Sequence, residues 1–566
     1  MHALSSKIDR FFPVRYFAWS AGIVLTLWFG FRWTQTGEGS IIALGCLLLA
    51  LLGLRDLLQR QRSVLRNYPL IGHLRFLLEL IRPEIRQYFI ESDNEETPFS
   101  RQQRSLVYQR AKGDPDKRPF GTQLDQRAAG YEWINHSLMP TEIRSLDFRV
   151  TVGSAPSCTQ PYSASVFNVS AMSFGALSAN AILALNGGAK KGRFAHDTGE
   201  GSISPYHRLH GGDLIWEIGS GYFGCRDEQG CFSAERFAAG ATDGQVKMIE
   251  VKLSQGAKPG HGGVLPGSKV TAEIAATRGV RQGEDCVSPA RHSEFRTPVE
   301  LLEFVERLRR LSAGKPTGFK LCIGHPWEWF AICKAMIETR LMPDFIVVDG
   351  AEGGTGAAPL EFVDHVGTPL QEGLLLVHNT LVGLGLRDRI KLGCSGKIVS
   401  AFDVVRAMAL GADWCNSARG FMFALGCLQA QTCHTGKCPT GVATQDPLRQ
   451  KALAVSDKLE RVYRFHHHTL AALRELTQAA GLMHPSEFRT THLVRRVSEQ
   501  EVRLLANVLP QMRPGQLLEA HAGKAAWPHK VYELYWPRAN ARSFAASDLP
   551  PSVDADIERV IHETAA

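Results

Sequence analysis

From about residue 165 the sequence repeats one texture, a short β-branched or apolar run, then glycine, then a stretch with helical spacing. The runs are Phe167 to Ala171, Gln245 to Leu253, Gly318 to Ile323, Asp344 to Asp349, Ile390 to Gly393 and Trp414 to Ala418. Between them, Leu301 to Leu311, Trp327 to Thr339, Glu372 to Leu386 and Ser400 to Leu410 carry apolar side chains at helical intervals. Strands that alternate with helices pair in parallel, because each helix returns the chain to the same end of the sheet. A doubly wound open sheet and a closed (β/α)₈ barrel share this pattern. The sequence has no G-x-G-x-x-G turn with an acidic partner, the mark of a dinucleotide fold. Chemically loaded residues follow nearly every strand, as they do at the C-terminal face of a barrel. The expectation is an α/β fold with a (β/α)₈ TIM barrel over residues 151–450.

Each strand end carries its own signal. Ala171-Met172-Ser173-Phe174-Gly175-Ala176-Leu177-Ser178 follows the first strand, with Ser178 placed to cap a helix at Ala179 and a turn before it that suits a flavin edge. Glu200 stands between Gly199 and Gly201, where burial beside a cofactor would tune it for proton transfer; a solvated loop acid is the plain alternative. Five glycines in the thirteen residues from Gln255 to Gly267 surround Lys258. Such a loop lets backbone approach a ligand, and a lysine there can pair with a carboxylate or stabilise charge on a carbonyl oxygen. Lys320 lies inside an apolar strand, so its charge needs a partner, for which a reduced flavin, negative near N1 and O2, is a candidate. Asp349 to Ala357 ends a strand in a glycine-rich turn with two acids, Asp349 and Glu352, beside Gly354 and Thr355. Ser395-Gly396-Lys397 and Arg419-Gly420 close two consecutive strands with small residues and exposed amides, the arrangement by which a barrel holds a cofactor phosphate.

Downstream, Cys427, Cys433 and Cys438 stand with five and four residues between them in a loop rich in glycine and closed by Pro439. Thiolates are the usual ligands of iron–sulfur clusters, and this loop can wrap one. Zinc on three thiolates and His434 is the rival. A flavin phosphate next to an iron–sulfur loop suggests electron transfer. Cys46, Cys158, Cys225, Cys231, Cys286, Cys322, Cys333 and Cys415 are expected to be ordinary buried thiols. Twelve cysteines spread over 566 residues lack the density of a disulfide scaffold and favour a reducing compartment. The net charge of +8 is scattered, without a basic face or aromatic stacking motif, which argues against nucleic acid as a partner.

The N-terminal segment has two apolar runs, Tyr16 to Phe31 and Ile41 to Leu54, joined by a short polar connector with Gly37 and Gly39. A second apolar run and the lack of a small-residue cleavage site favour a retained transmembrane helical hairpin over residues 1–60 rather than a signal peptide. Lys7, Arg10 and Arg15 precede it and Arg55, Arg60, Arg62 and Arg66 follow, which predicts an inner-membrane anchor with the catalytic body facing the cytoplasm. Two buried helices of a soluble domain are the alternative. Residues 61–150, rich in Arg with mixed polar and aromatic residues, are expected to form a helical linker and cap. Residues 451–566 are expected to form a helical extension followed by a surface segment punctuated by proline. Its His466-His467-His468 triplet cannot share one helix face and is expected to be a solvated or core patch.

Taken together, the Met172 to Ser178 stretch, Gly199-Glu200-Gly201, the Lys258 loop, Gly353-Gly354-Thr355-Gly356 and the three-cysteine loop running on to Pro447 resemble the FMN-binding synthase domain of glutamate synthase. The stand-alone, glutamate synthase-like FMN proteins also share the Arg/Tyr-rich leader around Arg82 to Gln109. The resemblance implies a barrel that binds FMN and a three-iron, four-sulfur (3Fe-4S) cluster on Cys427, Cys433 and Cys438. Electrons would pass through the cluster to FMN and on to 2-iminoglutarate, made from 2-oxoglutarate and ammonia. It further implies that Lys258 and Glu200 are catalytic, with Lys258 on the 2-oxoglutarate and flavin side of the site and Glu200 near flavin and cluster. Met172, Ser173, Gly175, Lys320, Glu352, Gly354, Thr355, Ser395, Gly396, Lys397, Arg419 and Gly420 would bind the cofactor, with Lys320 facing the flavin ring. Val264 departs from the glutamine common in the family's loop, so a different 2-oxo or amino acid, an N-substituted glutamate, or dehydrogenation into the quinone pool is the alternative enzymatic reading. A non-enzymatic electron-transfer or redox-sensing subunit is the third. The amidotransferase domain of the complete enzymes has no counterpart in this sequence, so free ammonia or a separate amidotransferase subunit is expected, with ferredoxin or a reductase subunit as electron donor.

Overall fold

A computed structural model of the chain describes residues 14–59, 62–90 and 97–547. Two units make up the chain, residues 1–96 and 97–566, so the boundary falls inside the expected linker and cap of residues 61–150, and residues 97–150 belong with the barrel. In the first unit, helices α1 (Phe17–Thr36) and α2 (Ser40–Leu58) pack against each other as a helical pair. The turn between them needs Gly37 and Gly39, whose φ angles of 72° and 90° lie in the left-handed region. Trp19 Nε1 donates to the Ala50 carbonyl at 2.9 Å and ties the two helices together. Ser40–Leu58 is long and apolar enough to cross a bilayer. The first helix carries Arg32, paired with Glu38 at 3.2 Å. Leu27, Trp28, Phe31, Ile41 and Leu44 are exposed. Lys7, Arg10 and Arg60 lie outside the described residues.

The second unit is built on a closed barrel of eight parallel strands. In chain order these are β1 (Phe167–Val169), β2 (His196–Asp197), β3 (Leu214–Ile218), β4 (Val246–Lys252), β5 (Thr317–Leu321), β6 (Phe345–Asp349), β7 (Lys391–Ser395) and β8 (Trp414–Ser417). Each strand pairs with the next, and β8 returns to β1 through Cys415↔Phe167 and its neighbours. The six strands expected from sequence all occur. β2 and β3 were not anticipated: β2 spans two residues, too few for any periodicity, and β3 alternates nothing because all five of its residues are buried.

An antiparallel hairpin, Arg149–Val152 with Tyr162–Ser165, closes the N-terminal end of the barrel. Val152, Tyr162 and Ala164 pack there with Ile215, Met248, Phe345, Val347 and Trp414 in a core separate from the larger one around the barrel. The lower barrel is therefore filled, and the open space lies at the C-terminal strand ends. Helix α3 (Arg101–Lys112) starts with a Ser100–Gln103 capping box. Ser178 caps α4 (Ala179–Gly192) by accepting from the Ala181 amide, as expected.

The long helix α5 spans Val455–Ala479 and packs against α3 and α4. His466 is buried on it, stacked on Phe194 at 4.0 Å and bonded to Ser165 Oγ, while His467 and His468 are only partly buried. Leu493–Arg496 forms a small sheet with Glu132–Ile134 and Val502–Leu504. The segment beyond is less superficial than expected, since Leu505, Leu517, Tyr532 and Trp536 are buried in the main core. Two of the thiols expected to be buried, Cys46 and Cys158, are intermediate, and Cys231 is exposed.

Candidate active site

A pocket of about 1370 Å³, mouth included, opens at the C-terminal ends of the strands. Loops following β1, β2, β4, β6, β7 and β8 all contribute to its wall, which is why the sequence signals fall directly after strands. Met172, Ser173, Glu200, Lys258, Lys320, Gly354, Thr355, Ser395, Gly396, Lys397, Arg419 and Gly420 line it, together with Val264 and Cys433. Gly175 and Glu352 do not. The Gly175 carbonyl accepts from Gln445 Nε2 at 2.9 Å, and Glu352 turns away to accept the amide of Leu370, at the start of the helix Leu370–Gly383, at 2.9 Å.

Glu200 and Lys258 are brought together through a residue the sequence did not single out, Lys252 at the end of β4. Its ammonium lies 3.2 Å from Glu200, which also accepts from Ser288 Oγ at 3.2 Å. Burial by itself would raise the Glu200 pKa, but Lys252, Arg278 and these two hydrogen bonds outweigh it and hold the group below the usual carboxylate range. Glu200 is therefore a fixed anion rather than a poised proton donor. Gly263 presses against it: a Cβ at that position would sit 1.8 Å from Glu200 Oε1. Lys258 is buried and donates to the Ala357 carbonyl at 3.0 Å. Burial and then the neighbouring Lys252 push its pKa down, with Glu200 opposing. Two ammonium groups and one carboxylate leave this wall with net positive charge, suited to an anionic ligand.

Val264 sits beside this group on a flap formed by Val264–Leu265 and Cys286–Val287. Arg278 anchors the flap region to the loop after β1 by donating to the Phe174 carbonyl at 2.9 Å and Ser173 Oγ at 3.3 Å. Across the pocket, Arg419 donates to the Thr355 carbonyl at 2.6 Å and Ser395 Oγ donates to Asp349 at 2.5 Å, so the ends of β6, β7 and β8 are fastened to one another. The short helix after β8, Arg419–Ala424, begins without a side-chain cap. Beside it the pocket-lining Asn416 is buried, with Oδ1 lacking a hydrogen-bond partner. The open amides at the start of this helix fit a phosphate-bearing cofactor, while the Asn416 amide oxygen, an acceptor, would take a donor group of that cofactor.

The cysteine loop forms another part of the wall. Cys427 and Cys438 are buried, and Cys433 is half-buried and faces the pocket. Burial would raise the Cys438 pKa, yet the Thr440 hydroxyl and the amides of Ala443, Thr440 and Val442 bring it below the ordinary thiol value, which favours thiolate. Buried Lys269, also unforeseen, donates to the carbonyls of Cys433 at 2.9 Å and Ala443 at 3.3 Å. Thiolates bound to one zinc ion at 2.3 Å would stand about 4 Å apart. Among the described residues the cysteines and His434 form no set with ligand atoms all within 4.8 Å of one another. The leader reaches this loop as well: Tyr108 donates to the Cys427 carbonyl at 2.6 Å, Gln429 to the Phe99 carbonyl at 3.2 Å, and Phe99 lines the pocket.

A conserved region in glutamate synthase matches residues 148–483. The chain is 38% identical over 511 residues to the glutamate synthase large subunit-like protein YerD of Bacillus subtilis, covering 83% of this chain and 97% of that protein. It is 37% identical over 312 residues to the archaeal glutamate synthase [NADPH] of Methanocaldococcus jannaschii, covering 55% of this chain and 58% of that one. A solved flavocytochrome b2 variant with pyruvate bound is similar over 78% of this chain and 89% of its own, at 12% identity and a TM-score of 0.40, too distant for anything to rest on it.

Proposed function

The chain belongs to the glutamate synthase family as a glutamate synthase-like oxidoreductase, and from that premise we propose that it reduces 2-iminoglutarate, formed from 2-oxoglutarate and ammonia, to L-glutamate. In this reading the pocket holds FMN, and Cys427, Cys433 and Cys438 hold a three-iron, four-sulfur cluster that feeds it electrons. Bound FMN supplies hydride transfer, and the cluster supplies electrons one at a time.

The observation that carries the proposal is the convergence in one pocket of a buried cationic wall, an uncommitted polar rim and a cysteine loop. Lys258 and Lys252 receive the carboxylate of the substrate, and Lys258, with its lowered pKa, is suited to giving a proton to the developing amine. Glu200 keeps Lys252 charged and in place. Ser395, Gly396, Lys397, Arg419 and Gly420 hold the cofactor phosphate, with Asn416 beside them. Product analysis is the test: protein supplied with a reductant, 2-oxoglutarate and labelled ammonium yields labelled glutamate. Failure to form it, with flavin and acid-labile sulfide both present, would sink the assignment.

Val264 favours a second reading. It is 36% exposed and lines the pocket, so an apolar surface meets the ligand beside the lysines. A substrate with an apolar substituent, such as another 2-oxo or amino acid or an N-substituted glutamate, would use it. A screen of such compounds for flavin reoxidation separates the two readings.

We also infer that the hairpin of α1 and α2 anchors the protein in the inner membrane with the barrel on the cytoplasmic side. The reading is supported by the exposed apolar side chains of both helices and by Arg15, Arg55, Arg62 and Arg66 at the two outer flanks. The electron donor, ferredoxin or a reductase subunit, and a separate amidotransferase subunit would then meet it from the cytoplasm.

A further inference from the structure

In the barrel interior, where β2 to β5 stand side by side, four charged side chains are buried together. Glu217 and Glu250 are register partners on adjacent strands, a placement that repulsion between like charges disfavours. Lys320 of β5 offsets it. Its ammonium is hydrogen-bonded to Glu217 and lies 3.1 Å from Glu250 Oε1, at ion-pair distance. Asp197 of β2 completes the group, with one oxygen of each of the three carboxyl groups within 4.8 Å of the others. Exposure is 1% for Asp197, 2% for Glu217, 0% for Glu250 and 4% for Lys320, so water cannot screen their charges.

Fully ionised, three carboxylates and one ammonium would leave two uncompensated negative charges in the barrel. A buried group in that position binds a proton instead. Asp197 Oδ2 and Glu250 Oε2 have no hydrogen-bond partner, so the group has oxygens on which a proton can reside. No neighbour supplies the missing cation. His196 on β2 is buried and kept neutral, its pKa lowered to about 3 by burial. Asp349 on β6 is a further acid, held by Ser395 Oγ and the Gly256 amide. Lys252, further along β4, is paired with Glu200. Burial first, and then the neighbouring carboxylates, push Glu250 up to about 7 and Asp197 well above its ordinary value.

We propose that Asp197, Glu217, Glu250 and Lys320 form a proton-holding site in the pocket floor, in which Asp197 and Glu250 share at least one proton at neutral pH while Lys320 is held by Glu217. Glu217 and Lys320 themselves line the pocket, so this reserve lies in contact with whatever charge the pocket contains. Only an O–H bond forms or breaks, and the proton comes from solvent. The site does not depend on which imine or amine the enzyme takes, so its test is separate from that of the reaction.

The experiment is infrared spectroscopy of the purified protein in D₂O, reading the C=O stretch of protonated carboxyl groups. A band should persist at about pH 7, well above the ordinary carboxyl range. Glu250→Gln and Asp197→Asn should each shift or weaken it, and the double variant should abolish it. A band that disappears with the surface carboxyls by about pH 5 overturns the proposal, and so does a band unchanged in the variants. If the double variant does not fold, the comparison of the wild type with either single variant decides the matter.

Discussion

Lys258, Glu200 and Lys320 were legible in the sequence as charges out of place, one in a glycine loop, one between glycines and one in an apolar strand. Their partners were not. Lys252, Glu217 and Glu250 meet them because of strand register in a closed barrel, which no local pattern reports. The expectation that Lys320 pairs with flavin is accordingly joined by a closer finding, that two glutamates already hold it. At this scale Lys258→Ala should lower kcat/KM for the 2-oxo acid roughly 10²- to 10³-fold, the loss expected when one charge-stabilising donor is removed. Steady-state kinetics at saturating ammonium checks it. Glu200 carries a pH prediction. Its folded pKa lies below the ordinary value of 4.5, so its contribution to stability is present above that pH and is lost as pH falls through the lower folded value. Glu200→Gln should therefore flatten the acid limb of a thermal-stability profile; an unchanged acid limb would count against the Lys252 pairing.

Among the elements, the alternation of strand and helix gave the parallel sheet, the chemically loaded strand ends pointed to the barrel, and six strands fell where the apolar runs lay. β2 and β3 escaped because one is too short and the other too uniformly buried for a period to register. The leader was opaque for a different reason. Phe99 and Tyr108 act on a loop more than 300 residues away, Tyr108 and Cys427 being 319 positions apart, and nothing in their neighbourhood announces that contact. The cysteine loop was legible from spacing alone, though its support by Lys269 and by the amides after Cys438 was not. Cys438→Ser removes the thiol those amides favour as thiolate. Acid-labile sulfide and iron should fall to a minor fraction of the wild-type content while flavin is retained, because the phosphate rim lies on β7 and β8. Equal loss of flavin would mean that the loop and the rim are one structural unit.

For the whole molecule, the division at residue 96 separates the hairpin unit from the barrel unit. The barrel, its plug and its C-terminal helices have their own buried cores, the main one and the smaller one at the plug, so a chain beginning near Thr97 should fold and bind flavin. It should also appear in the soluble fraction, whereas the full chain sediments with membranes and resists extraction by salt or alkali. A full chain released by salt alone would contradict the anchor. The barrel's lower half is packed and its upper half is the pocket, so the account stands or falls on what the pocket reduces. The most direct measurement is a single turnover: the protein is reduced without oxygen, mixed with 2-oxoglutarate and ammonium, and flavin absorbance is followed. Rapid reoxidation that requires both compounds and is lost in Lys258→Ala is the predicted result. Flavin that stays reduced in the wild-type protein, with its cluster intact, would contradict the account.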